Sequence, residues 1–153
     1  MNVVPIYAGL PQTTDAARGL ALLRSGTARH VMEMKLSPEE LSLVISAAKE
    51  IVRSLVPARP EQIALEIEAL ALHYPTINRT YEESLIINGH WLEDLSGWPL
   101  DMIQDACRNW RNSPERYFPT PGQLKALSQA SLDGRRSLAE RARELLALAD
   151  KTA

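Results

Sequence analysis

Apolar residues return at helical spacing through most of this chain, and prolines and glycines punctuate the runs. After Ser37-Pro38-Glu39-Glu40, apolar side chains recur at Leu41, Val44, Ala48, Ile51, Val52 and Leu55, which is the spacing of one helix face. Ser37 is placed to cap that helix, Pro38 suits its first turn and Glu40 completes a capping box. Pro57 and Pro60 stop it and open the next. There Ile63, Ile67, Leu70, Ala71 and Tyr74 form a stripe ended by Pro75, because a proline disfavours helical geometry in the residue before it. Asn78 or Thr80 caps a further helix bearing Tyr81, Leu85, Ile86, Trp91, Leu92 and Leu95, with Glu82 and Glu83 where acids favour the helix dipole. Ser96-Gly97 ends it. Pro99 begins another, with Met102, Ile103, Ala106, Cys107 and Trp110 on one face and Asn112-Ser113-Pro114 as its close.

Thr120-Pro121-Gly122-Gln123 repeats the capping-box arrangement and opens a helix through Leu124 and Leu127 to about Ser131. Asp133-Gly134 reads as a break or kink, followed by a last helix carrying Leu138, Ala142, Leu145 and Ala149. Before residue 31, Pro5, Gly9, Pro11, Gly19 and Gly26 leave only a weak helical pattern from Thr14 to Leu23. The expected architecture is therefore all-α: an irregular arm with one short helix over 1–30, a helical domain over 31–132, and a C-terminal basic helix over 133–153 that packs on the domain or extends from it. The bundle is compact, with short Pro-rich connections. No repeat, low-complexity tract or strand pattern longer than about four residues interrupts this.

A composition of 45% apolar and 24% charged residues is that of a folded chain rather than a disordered one. With three Trp, four Tyr and one Phe, the core must come mainly from Leu, Ile, Val and Ala, the usual material of helix-on-helix packing. The net charge of −2 conceals an asymmetry. Residues 1–107 carry 8 basic and 14 acidic side chains, whereas residues 108–153 carry 9 basic and 5 acidic. A basic segment of this kind meets water, acidic protein surfaces or phosphates. Without a signal peptide or an apolar run near the roughly 18 residues of a membrane span, the chain reads as cytoplasmic and not membrane-bound. The lone Cys107 fits a reducing compartment.

Candidate chemistry is sparse. His30, His73 and His90 are scattered and lack zinc-ligand spacing, and partial burial at helix contacts accounts for His73 and His90. Asp101 and Asp105 share a helix face as solvating charges, and Cys107 sits in an apolar stripe unsuited to a reactive thiol. No phosphate loop, nucleophile elbow or triad ordering is present. The chain thus reads as non-enzymatic, with no catalytic residue, metal or cofactor. What remains is surface. Trp91, Trp110, Phe118, Pro119, Thr120 and Pro121 read as a structural motif, with Phe118 buried, Trp98 half-exposed and Tyr117 turned toward a partner. Arg111 and Arg116 lie beside that turn. Arg135, Arg136, Arg141 and Arg143 are expected to face solvent, internal acids or a partner, since a charge buried without a partner is costly.

Ile63-Ala64-Leu65-Glu66-Ile67-Glu68-Ala69-Leu70-Ala71-Leu72-His73-Tyr74-Pro75, then Trp91-Leu92-Glu93-Asp94-Leu95, Ala106 and Phe118-Pro119-Thr120-Pro121-Gly122-Gln123-Leu124 follow in a recognisable order. That order resembles the bacteriophage helicase loader and inhibitor family over about 65 residues. The resemblance implies a compact helical domain without catalysis that binds a hexameric DnaB-type replicative helicase, with possible contacts to an origin-binding protein. Two other readings stand beside it: a small helical inhibitor or adaptor of another host complex, such as an anti-defence protein, and a DNA-binding module using the basic C-terminal helix.

Overall fold

A computed structural model describes residues 14–153. Eight helices account for 72% of the described residues. They are α1 (Thr14–Arg24), α2 (Ala28–Glu33), α3 (Pro38–Arg53), α4 (Pro60–Ala71), α5 (Tyr81–Asp94), α6 (Leu100–Arg111), α7 (Pro121–Ala126) and α8 (Gln129–Thr152). Among the described residues, extended pairing is confined to an isolated bridge between Pro57 and Pro99. The protein is all-α.

The described residues divide into two compact units, one built from Val56–Leu132 and the other from residues 14–55 with Asp133–Ala153. The expected C-terminal element is thus part of the second unit, together with α1 to α3. Within this discontinuous unit, α1 packs along α3. Leu23, Val31, Val44 and Ile51 are fully buried there, as are Ala139, Ala142 and Leu145 of α8. The short helix expected within the arm is α1, the arm is corrected at Ala28–Glu33, where a second helix, α2, stands, and residues 1–13 lie outside the described part. Gly19, read as a breaker, is instead a packing residue: a Cβ there would stand 2.5 Å from the Leu43 carbonyl oxygen.

The break expected at Asp133-Gly134 does not occur, because α8 runs through it. One internal glycine costs a helix about 1 kcal/mol against alanine. Burial of Leu132 and Leu138 on either side outweighs that. The chain turns instead at Leu127-Ser128, where α7 ends.

In the contiguous unit, α4 packs on α5 and α6, and α7 packs on α5 and α6. The capping box at Thr80 starts α5, with Thr80 Oγ1 accepting from Glu83 N at 3.2 Å. Gly97, at φ +84°, supplies the left-handed residue that stops it. The same turn corrects the reading of Trp98, which is 4% exposed rather than half-exposed. Its carbonyl accepts from Ala58 N at 2.8 Å, so the Pro57-Ala58 segment pairs with the turn.

Candidate functional site

The Arg116–Pro121 turn is held from three sides. Trp110 Nε1 donates to the Tyr117 carbonyl at 3.0 Å, and the two rings meet edge to face with centroids 5.8 Å apart. Below, the Phe118 ring lies 6.1 Å from Tyr74 and 5.6 Å from Trp91, so it locks the turn against α5 and the end of α4. The capping box of α7 completes the fixing: Thr120 N donates to Gln123 Oε1 at 2.9 Å and Gln123 N to Thr120 Oγ1 at 3.3 Å. The Gln123 amide reaches on to the Tyr117 hydroxyl at 3.3 Å. One local motif therefore starts a helix and orients an aromatic side chain.

A groove of about 380 Å³ opens beside this turn. Tyr74, Pro75, Ile77 and Arg79 form one bank, Arg116 to Pro121 the other, and Ile87 and Trp91 also line it. A second cavity of about 320 Å³ shares Tyr74, Pro75, Ile77, Arg79 and Phe118, extending the trough to Ala71 and Leu72. Tyr117 is 49% exposed, and Ile77 and Leu72 are more so. Arg79 and Arg116 are exposed and take part in no ion pair among the described residues. Burial pushes the Tyr74 phenol above its ordinary value, and the nearby Arg111 cation pulls the other way. The result is an apolar, aromatic trough with guanidinium groups at its edges. It suits an apolar segment that also carries a carboxylate, which arginine holds through paired N–H donors.

Several expected site residues meet here. Arg116, Tyr117, Phe118, Pro119, Thr120, Pro121 and Trp91 line the groove, Arg111 stands near Tyr74, and Trp110 supports the turn. Trp91 and Trp110 are buried, while Phe118 is partly rather than fully covered because it faces the groove. Arg79 and Ile77 were not singled out from the sequence. They lie in a loop with no periodicity, and groove membership depends on a turn some forty positions away.

The arginines of α8 do not gather into one surface. Arg135, expected to face solvent, internal acids or a partner, is corrected to a core position: it is 0% exposed and donates to the Ser54 carbonyl at 3.2 Å. The physical reason is its register. It falls on the same side of α8 as Leu132, Leu138 and Ala139, and Ser54 offers an unfilled acceptor at the end of α3. Arg136 pairs loosely with Asp133 at 4.0 Å, Arg141 donates to the Arg24 carbonyl at 3.5 Å, and Arg143 is exposed.

Cys107 is buried, and its thiol is pushed up to about 12 by desolvation and then by the Glu66 carboxylate, so at neutral pH it carries no thiolate. Asp105 pairs with Arg108 instead of standing free. His73 and His90 are exposed, not tucked into helix contacts, since both point away from the stripes beside them. Among the described residues, no three His, Cys, Asp or Glu side chains converge in a way that could hold a metal ion, and no helix is long and apolar enough to cross a membrane. Against known protein families, curated proteins and solved structures, the chain finds no match.

Proposed function

We propose that this protein is a non-enzymatic replication accessory protein that binds a hexameric DnaB-type helicase, as loader or inhibitor, through the aromatic groove of its contiguous unit. One observation carries the reading: Arg79 and Arg116, which take part in no ion pair among the described residues, stand at the edges of a trough lined by Tyr74, Ile77, Tyr117 and Phe118. Apolar anchors flanked by arginine are the groups that dominate protein interfaces. The order of motifs from Ile63 to Leu124, which supplies most of the groove, supports the same partner class. The occupant is an apolar segment of the helicase bearing Asp or Glu. A nucleic-acid reading is weaker, because Arg135 is withdrawn into the core and Arg136 and Arg141 have internal partners.

The test is capture of a purified DnaB-type hexamer by the full chain. Arg79→Glu combined with Arg116→Glu is expected to weaken binding by about 100-fold, roughly 2.7 kcal/mol, with the helical spectrum unchanged. Tyr117→Ala should weaken it by about tenfold. A parent protein that ignores the hexamer, or a double reversal that binds it equally well, overturns the reading.

A further inference from the structure

Helix α5 carries apolar side chains that the other described residues of its unit do not cover. Trp91 and Leu95 are buried and Ile87 lines the groove, but Tyr81, Leu85 and Ile86 project outward at 74%, 53% and 58% exposure. Tyr81, Leu85 and Gly89 follow one another at i, i+4 and i+8, so they form a single ridge. At Gly89 that ridge drops to bare backbone, where an added Cβ would meet nothing within 4 Å. Large apolar side chains on a helix are ordinarily covered, and Tyr81, Leu85 and Ile86 are not covered by the other described residues.

Charge says what kind of neighbour fits. Tyr81–Asp94 contains Glu82, Glu83, Glu93 and Asp94, all exposed, and no Lys or Arg. Helical rotation sets Glu82 and Glu93 between the rows of Leu85 and Ile86. We infer that the outer side of α5 is a second docking surface, and that its occupant is a basic amphipathic helix of a partner protein. Its apolar stripe packs on Tyr81, Leu85 and Ile86, it approaches most closely at Gly89, and its Lys or Arg side chains meet Glu82 and Glu93. A second copy of this chain is the poorer fit, because two-fold pairing through α5 sets these acids against their own equivalents. The surface is independent of the groove, which is edged by arginine and lies on another side of the helix.

The experiment uses the full chain and two labelled synthetic helical peptides, each with leucine on one side, one with lysine and the other with glutamate on the opposite side. Fluorescence anisotropy is expected to show the lysine peptide binding at least about tenfold more tightly than the glutamate peptide. Leu85→Asn with Ile86→Asn should weaken that binding by about tenfold or more, Glu82→Lys with Glu93→Lys should reverse the preference, and Arg79→Glu with Arg116→Glu should leave it unchanged. Should the asparagine variant fail to fold, the charge reversal carries the test alone. Equal binding of both peptides overturns the proposal, as does lysine-peptide binding indifferent to these changes. A dimer in sedimentation that Leu85→Asn dissolves assigns the surface to a second copy and likewise overturns it. Because the groove variant is read separately, loss of helicase capture and loss of peptide binding are distinguishable.

Discussion

Withdrawing a guanidinium from water is tolerable only when its donors find acceptors, and Arg135 finds one at the carbonyl of Ser54, 81 positions earlier in the chain. Arg135→Ala removes the donor and leaves a void, so it should cost about 2–4 kcal/mol in urea unfolding. Arg136→Ala, one position along and solvent-facing, should stay within about 0.5 kcal/mol. Equal effects of the two changes would refute the core placement of Arg135. Glu40 makes a different prediction. Its carboxylate accepts from Ser37 N at 2.9 Å and lies 3.3 Å from Arg18, and the backbone hydrogen bond, more than the cation, holds it below its ordinary value of 4.5. A depressed carboxyl contributes stability that is complete above its unfolded value and disappears as pH falls through the folded one. An NMR titration should therefore place the Glu40 midpoint below 4.5, and Arg18→Gln should move it only part of the way back. A midpoint at or above 4.5 would mean the capping box does not hold the charged form.

Local signals made some elements plain and left others hidden. The start of α3 was legible because Ser37, Pro38 and Glu40 act within one turn, and the same holds for the Thr120 box that begins α7. The course of α8 was not, because the sequence shows Gly134 as a stop while the burial that overrides it comes from residues distant in the chain. The role of Gly19 is hidden for a related reason: sequence marks a glycine, but whether it breaks a helix or lets two helices touch depends on what crosses it. Here the crossing partner is the backbone at Leu43. Gly19→Ala, ordinarily a helix-favouring change, should therefore destabilise by about 1–3 kcal/mol through overpacking, as read by thermal unfolding. Stabilisation by about 1 kcal/mol instead would show that α1 and α3 can separate without penalty. Half of the candidate groove was legible as an aromatic turn with Arg116 and Tyr117. The opposite bank, Tyr74 to Arg79, was not, since no periodicity reports that two loops face each other.

At the scale of the whole molecule, the order of the chain differs from the order of its units. Among the described residues, one unit is the continuous stretch Val56–Leu132, held by neighbouring helices, whereas the other is assembled from segments on either side of it. Local contacts form before distant ones, because closing a long loop costs entropy before any contact offsets it. Pulse-labelling hydrogen exchange during refolding should accordingly protect α4, α5 and α6 before α3 and α8. Simultaneous protection of all five would indicate one cooperative folding unit. During synthesis this order becomes a matter of time. Leu23, Val44 and Ile51, all fully buried in the finished protein, are made before residue 55, while α8 is not complete until Thr152. At roughly 5–20 residues per second, the intervening stretch alone takes the ribosome about 4–15 s. For that interval the first three helices carry an uncovered apolar face, long enough for a chaperone to find them before their own C-terminal partner exists.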